Sequence, residues 1–192
     1  MKSKNSFNDF VKPVLVLVII CFVVTFALAA AYGITKPIID ENNLKASNEA
    51  KAELLPEANG EFENIEGDLL VLEENKIYVT EASKATNGSG AVVTVASNSY
   101  GGILTAMVGI DADGAVTSVQ IMSAADTPGV GTKAQDASFL DQYKGLSDLG
   151  NENIKDASSA VDYITGASIS SQAVHEAVYC ALEQFKEMGG AN

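Results

Sequence analysis

The chain has 192 residues, of which 47% are hydrophobic, and a formal net charge of −13, with 25 acidic side chains, 12 lysines and no arginine. This length suits one folded domain. The acidic charge argues against nucleic acid as a partner, and the lack of arginine excludes a bidentate guanidinium fork from any phosphate site. With one histidine and two cysteines far apart, the sequence predicts no metal site.

The N-terminal region is apolar. Residues 13–35 contain no charged side chain, and as a helix they would rise about 1.5 Å each and cover the roughly 30 Å of bilayer hydrocarbon. The sequence therefore predicts one transmembrane helix, with the lipid bilayer as a partner. A cleaved signal peptide, for which Ala29–Ala31 supply small residues, is the alternative, although its apolar part is usually only about 7 to 15 residues long.

The charges that flank this helix predict its orientation. Lys2, Lys4 and Lys12 precede it with one acid, Asp9, whereas the chain after the helix soon turns acidic. The positive-inside rule then places residues 1–12 in the cytoplasm and the rest of the chain outside the cell membrane. Beyond residue 36 the chain carries eight lysines against 24 acidic residues, a net charge of −16.

The next segment, residues 36–75, is predicted to form an acidic stalk and the start of the domain, and residues 76–192 the domain itself. The stalk is predicted to be helical from Ile38 to about Leu55, because Pro56 would stop a helix. Alternating apolar and polar side chains then predict four strands. They are Ile77–Thr80, Ala91–Val95, Leu104–Ile110 and Val116–Ile121, and the Asp- and Gly-containing turn before the last one predicts an antiparallel hairpin.

A last helix is predicted to begin between Ser168 and Ser171 and to end at Gly189-Gly190. Its apolar stripe is expected to face the core, with Cys180 as a small buried residue, whereas His175 lies off the stripe and is expected at the surface. The stripe consists of Val174, Val178, Ala181, Leu182 and Phe185. The predicted fold is α+β, an antiparallel sheet with helices packed on one side.

Two segments could approach a ligand closely. The loop 126–132, which we call the glycine loop, contains two glycines and a proline. The segment Thr165–Ser168 lies where the last helix begins, and a helix N-terminus presents unpaired amides and partial positive charge that suit a phosphate. On spacing alone, this segment could equally be an ordinary helix cap.

The string DYITGAS, residues 162–168, resembles the Asp-x-x-Ser/Thr-Gly-Ala-Thr/Ser motif of the FMN-binding domain family. In that family a flavin transferase joins the phosphate of FMN to the last hydroxyl. The resemblance implies covalent FMN on Ser168, which replaces the more usual threonine. It also implies that Asp162 is the motif acid and that Thr165, Gly166 and Ala167 form the recognition turn.

The resemblance covers about residues 99–188, because YGG, DTPGVGTKA and FLDQYKG follow in the order of the family's blocks. It implies that Thr127, Pro128, Gly129 and Gly131 lie against the flavin. Lys133 is a candidate contact for the flavin phosphate or a ring carbonyl, since anions attract cations. Ser170 and Ser171 are competing acceptors, or hydroxyls that contact phosphate or cap the helix.

The short length and single helix are similar to the G subunit of the Rnf complex, an ion-translocating ferredoxin:NAD oxidoreductase. This similarity implies an electron-carrying component of a translocase with no substrate turnover of its own. Its partners would be other Rnf subunits and, during maturation, a flavin transferase. Two redox alternatives are the C subunit of a sodium-translocating NADH:quinone oxidoreductase and a free-standing extracellular flavin carrier. A membrane-tethered binding or assembly module without a redox group is the alternative from another class.

Overall fold

The structure, a computed structural model, describes residues 5–65, 67, 69–156 and 158–190. The chain divides into two units, residues 1–46 and 47–192. Lys2 and Lys4, on which the predicted orientation partly depends, lie outside the described residues.

Helix α1 spans Asn5–Leu54. Within the described residues it is the one helix that is long and apolar enough to cross a membrane by length and composition. It contains the predicted segment 13–35, whose side chains are exposed. The predicted helix over residues 38–55 is confirmed as the continuation of α1, and a 3-10 helix over Pro56–Ala58 follows.

The second unit is built on an antiparallel sheet of six strands. They are β1 Phe62–Asn64, β2 Val71–Glu73, β3 Ile77–Ala85, β4 Gly90–Ser99, β5 Gly102–Asp111 and β6 Val116–Ser123. Their order in the sheet is β1-β3-β4-β5-β6, and β2 also pairs with β3. All four predicted strands are confirmed and extended, whereas β1 and β2 were not predicted, because strands of three residues carry no recognisable alternation.

The predicted hairpin between β5 and β6 is also confirmed. Its turn is held by the Asp111 side chain, whose Oδ1 accepts hydrogen bonds from the amides of Asp113 and Ala115 at 3.0 and 2.9 Å. An aspartate that bonds the backbone two residues ahead is a common device of tight turns.

After β6 the chain forms a 3-10 helix over Gly131–Gln135, helix α2 over Ala137–Leu140 and a 3-10 turn over Asp141–Tyr143. Helix α3 spans Ser168–Glu187, as predicted. It ends where the Gly190 amide donates to the Phe185 carbonyl at 3.0 Å and Gly189 adopts a φ of 75°, a glycine-dependent helix end.

The predicted α+β class, an antiparallel sheet with packed helices, is confirmed, but the helices do not pack on one side only. One face of the sheet packs against α3, for example through Val93, Val108 and Val178. The opposite face packs against the last turn of α1 and the residue after it, where Leu54 and Leu55 join a second cluster that includes Val92 and Met107. That part of α1 was predicted to belong to the stalk, so the second face of the sheet had no predicted cover.

A buried lysine fixes this last part of α1 to the sheet. Lys51 is 4% exposed, and its Nζ donates to Glu81 Oε1 at 2.6 Å and to Ser83 Oγ at 2.8 Å. A buried ammonium group is tolerated where it is paired and hydrogen-bonded in this way.

His175 is fully buried, so the prediction that it lies at the surface is wrong. Its Nε2 lies 2.8 Å from the Asn151 carbonyl oxygen and its Nδ1 lies 3.4 Å from the Tyr143 hydroxyl. The reason is that α3 packs against the sheet and also against buried residues of the largely irregular segment 131–161, including Leu149 and Ile154. The apolar stripe predicts the contact with the sheet but not the contact with segment 131–161, which covers His175.

Cys180 is buried in the main core, as predicted. Burial, together with nearby acidic side chains, raises the pKa of its thiol to about 12. The residue therefore remains a thiol at neutral pH and packs as a small apolar side chain.

Candidate functional site

A cavity of about 520 Å³ opens at the N-terminus of α3, and we call it the α3 cavity. Its volume lies in the usual range of ligand pockets, roughly 300 to 1,000 Å³. Five predicted site residues meet here, namely Thr127, Gly131, Gly166, Ala167 and Ser168. The complete lining is Tyr100, Thr127, Val130, Gly131, Gly166, Ala167, Ser168, Ile169 and Ser170.

The turn before α3 places Ser168 at the first helical position. Gly166 has a φ of 86°, a conformation that favours glycine. Ala167 occupies the N-cap position, and no side chain caps the helix. Ser168 is half-buried, and its hydroxyl is not used as the helix cap, in contrast to the simplest interpretation of the TGAS segment.

The first turn of α3 also has free backbone donors. The Ala167 amide donates to the Ile164 carbonyl and the Ser171 amide to the Ala167 carbonyl. No described residue accepts a hydrogen bond from the amides of Ser168, Ile169 and Ser170. These amides and the helix dipole make the end of the cavity next to Ser168 attractive to an anion.

The glycine loop lies directly against this first turn. A Cβ atom at Gly131 would lie 2.7 Å from Ser170 Oγ and 2.8 Å from the Asp126 Cβ. Such distances require neighbouring atoms to shift, so glycine is needed here for close approach between the loop and the helix. It also keeps the space above Ser170 open to a ligand.

Asp126 connects the glycine loop to the turn between β4 and β5. Its carboxylate is 5% exposed and accepts hydrogen bonds from Ser99 Oγ at 2.6 Å and from the Gly101 amide at 2.9 Å. Tyr100, between these two donors, is 71% exposed and lines the cavity. The positions of Tyr100 in the cavity and of Asp126 as a brace were not predicted, because both depend on these hydrogen bonds between segments far apart in the sequence.

The other predicted site residues do not line the cavity. Asp162, Thr165, Pro128, Gly129 and Lys133 are all exposed. The backbone of Asp162 is held by the Gln142 side chain, whose Oε1 accepts from the Asp162 amide at 3.1 Å. Their assigned roles in binding or recognition stay predictions.

A second, more polar groove of about 510 Å³ lies beside Ser168. Ser168 and Ile169 line both spaces, so the Ser168 side chain stands at the border between them. Burial raises the pKa of Glu176 in this groove, although hydrogen bonds from Gln172 and Ser97 oppose the shift. The groove is lined by Glu73, Lys76, Ile77, Asn98, Asn153, Lys155, Ser168, Ile169, Gln172 and Glu176.

The residues of the α3 cavity fit a flavin phosphate. The free amides suit a phosphate group without any arginine, and the exposed side chains of Tyr100, Val130 and Ile169 offer apolar surface to a flat ring. Gly131 permits close approach of the backbone. Within the described part of the chain, no group of three or more His, Cys, Asp or Glu side chains could hold a metal ion.

Comparison with protein families agrees with this fit. The FMN-binding domain family matches residues 99–183, a range that contains every residue of the α3 cavity. Among solved structures, the crystal structure of Shewanella oneidensis NqrC is similar with a TM-score of 0.44 and 21% identity, over 55% of this chain and 57% of that one.

Several curated relatives extend over nearly the whole chain. The G subunit of the proton-translocating ferredoxin:NAD(+) oxidoreductase complex of Clostridium ljungdahlii is 31% identical over 191 residues, 98% of this chain and 97% of the relative. The G subunit of the Na(+)-translocating ferredoxin:NAD(+) oxidoreductase complex of Acetobacterium woodii is 28% identical over 91% of this chain and 90% of its own. The G subunit of the ion-translocating oxidoreductase complex of Methanosarcina acetivorans is 27% identical over 95% of this chain and 98% of the relative. The family resemblance inferred from the motifs is thereby confirmed, and the chain belongs to the family of G subunits of the Rnf-type ion-translocating oxidoreductase complexes.

Proposed function

We propose that this chain is an electron-carrying subunit of a membrane-bound, ion-translocating ferredoxin:NAD+ oxidoreductase, with FMN bound covalently to Ser168 through a phosphoester. The observation that carries this proposal is the position of the Ser168 hydroxyl. It is half-buried at the first residue of α3, it lines the α3 cavity, and no side chain caps the helix there. The names of the relatives support the type of complex and imply other Rnf subunits as partners.

The proposed arrangement anchors the protein in the cell membrane by residues 13–35 of α1. Residues 1–12 then lie in the cytoplasm, and residues 36–75 lead into the FMN-binding domain of residues 76–192 outside it. The exposed apolar side chains of this part of α1 support the anchor. Protease added to intact cells should digest the domain, whereas complete protection would reverse this orientation.

Attachment of the flavin requires a donor with an activated phosphate. We take it to be a dinucleotide, used by a flavin transferase, in which a pyrophosphate joins riboflavin 5′-phosphate to a nucleoside monophosphate. Ser168 Oγ forms a bond to the flavin phosphorus while the P–O bond of the anhydride breaks. The departing nucleotide phosphate keeps the electron pair, and the serine proton passes to a base or to water. The mass of the protein therefore rises by the mass of FMN minus that of one water molecule.

When bound, FMN supplies the ability to accept and release one or two electrons. The protein holds the group in place and shapes its surroundings. The first-turn amides of α3 would bind the phosphate, the glycine loop would lie against the ring, and Tyr100, Val130 and Ile169 would shield it from water. A covalent bond also prevents loss of the group outside the cell membrane.

Mass and fluorescence test the attachment. The full chain, co-expressed with a flavin transferase that is active on a control substrate, should gain the mass of FMN minus water and fluoresce on a denaturing gel. Ser168→Thr and the exposed Ser158→Ala should behave in the same way, because both retain a hydroxyl at position 168. Ser168→Ala should lose the label completely. An unlabelled wild-type chain would contradict the proposal and favour a binding module without a redox group.

A further inference from the structure

Ser170, two residues after the acceptor, has an unusual environment. It is only 2% exposed, it lines the α3 cavity, and no described residue forms a hydrogen bond with its hydroxyl. Buried hydroxyls in proteins normally have a partner. The Ser170 hydroxyl is not one of the fully enclosed side-chain atoms without a partner, which among the described residues are Ser89 Oγ, Thr94 Oγ1 and Gln135 Nε2. It opens onto the α3 cavity instead and is available to a ligand there.

The neighbouring serine shows the opposite behaviour. Ser171 is fully buried, and its Oγ accepts a hydrogen bond from the Ile164 amide at 3.1 Å. This bond fixes the turn that precedes α3. The fold therefore uses the Ser171 hydroxyl for its own stability and leaves the Ser170 hydroxyl for another purpose.

Backbone donors lie beside the Ser170 hydroxyl. The amides of Ser168, Ile169 and Ser170 have no acceptor among the described residues. Gly131 leaves the adjacent space open, because a Cβ atom there would lie 2.7 Å from Ser170 Oγ. Three amides and one hydroxyl at a helix N-terminus can all donate hydrogen bonds to one anion.

We propose that the Ser170 hydroxyl and the amides of residues 168–170 form a phosphate cradle, which binds the flavin phosphate of the donor as the bond to Ser168 forms and holds the phosphate of FMN afterwards. This inference rests on the proposed function of the α3 cavity. Ser170 donates to a non-bridging phosphate oxygen, whereas Ser168 supplies the oxygen of the ester. The cradle therefore recognises FMN even when the acceptor hydroxyl is absent.

The test uses the full chain in detergent with Ser168→Ala, which cannot be labelled. FMN and riboflavin, which lacks the phosphate, are titrated separately and followed by fluorescence anisotropy. We expect FMN to bind at least about tenfold more tightly than riboflavin, because hydrogen bonds to a charged group are strong. Adding Ser170→Ala should weaken FMN binding about tenfold and leave riboflavin binding unchanged, and inorganic phosphate should compete with FMN only.

Ser168→Ala combined with Ser171→Ala is the matched control. It should lower the melting temperature, since the Ile164 amide loses its acceptor, while the preference for FMN over riboflavin is retained. Equal affinities for FMN and riboflavin in Ser168→Ala, no binding of FMN, or an equal loss for both ligands on adding Ser170→Ala would overturn the cradle. The mass of the wild-type chain decides separately whether Ser168 carries FMN, so the two proposals can fail independently.

Discussion

The first and second turns of α3 both bury polar side chains, but they treat them differently. In the second turn, His175 Nε2–H donates to the Asn151 carbonyl, which can only accept, so its Nδ1 accepts from the Tyr143 hydroxyl. In the first turn, the Ser170 hydroxyl and the preceding amides have no partner among the described residues. The second turn is structural because its buried side chain is hydrogen-bonded within the protein. The first turn is suited to a ligand because its donors open onto the α3 cavity.

The largest expected effect on stability comes from removing the two hydrogen bonds of His175 in the second turn of α3. His175→Phe leaves the Asn151 carbonyl and the Tyr143 hydroxyl without partners, and each buried unsatisfied group costs about 1 to 3 kcal/mol. We expect the free energy of unfolding to fall by about 3 kcal/mol, measured by urea denaturation. Ser170→Ala is the matched control and should change it by less than about 0.5 kcal/mol. A similar loss in both variants would remove the distinction between the two turns.

Gly131→Ala tests the contact between the glycine loop and the first turn. The new methyl group would press on Ser170 and Asp126, and overpacking of this kind typically costs about 1 to 3 kcal/mol. We expect the free energy of unfolding, measured by urea denaturation, to fall by about 2 kcal/mol. We also expect the affinity for FMN to fall.

Gly129→Ala provides the comparison for that variant. Gly129 has a φ of 74°, but a Cβ atom added to it would meet no atom within 4 Å. Gly129→Ala should therefore lower the free energy of unfolding by about 1 kcal/mol, through backbone strain alone. FMN binding measured on the Ser168→Ala background should weaken less in Gly129→Ala than in Gly131→Ala, because only the second substitution fills the space next to Ser170. Equal binding losses in the two variants would show that the space above Ser170 is not where the phosphate lies.

Tyr143→Phe should have a smaller effect than His175→Phe. It removes one donor and leaves only His175 Nδ1 without a partner, which we expect to cost about 1 kcal/mol. Burial raises the pKa of the Tyr143 hydroxyl far above its usual range, so the hydroxyl keeps its proton and donates to His175 as long as the imidazole is neutral. A loss as large as that of His175→Phe would mean that the Asn151 bond contributes nothing.

The pH dependence of stability should provide the finest distinction. Burial lowers the pKa of His175, so the unfolded chain binds a proton at pH values where the folded chain does not. The stabilising contribution is complete above the unfolded pKa, about 6.5, and is lost as the pH falls from there toward the folded pKa. Urea midpoints of the wild type should fall over this window, and His175→Phe should lack that component.

His175 is the only histidine of the chain, which makes the assignment direct. Glu176 acts in the opposite sense, because burial raises its pKa, and the stability that this provides is lost as the pH rises. The wild type and His175→Phe both contain Glu176, so its effect cancels when the pH dependence of one is subtracted from that of the other. Parallel pH curves for the two proteins would contradict the structural role of His175.

The parts of the fold that were predictable carry a regular pattern. Strands β3 to β6 are runs of eight to ten residues rich in apolar side chains, α3 has a long apolar stripe, and the β5–β6 turn has a recognisable composition. Strands β1 and β2 are too short for any period. His175 was misplaced because the segment that covers it, residues 131–161, is largely irregular and therefore leaves no periodic signal.

The site was predictable as far as its motifs reach. Ser168 and Gly131 belong to short segments with a strong family resemblance, and the structure brings them together at one cavity. The different roles of Ser170 and Ser171 depend on which hydroxyl meets the Ile164 amide, and the position of Tyr100 depends on the Asp126 brace. These tertiary contacts cannot be predicted from the local sequence.

Peptide mass spectrometry of the flavin-loaded wild-type chain tests the central claim most directly. We expect the peptide that contains residues 165–171 to gain the mass of FMN minus water, and its fragment ions to place the addition on Ser168. An unmodified peptide, or an addition located on Ser170 or Ser171, would contradict the assignment of Ser168 as the flavin acceptor.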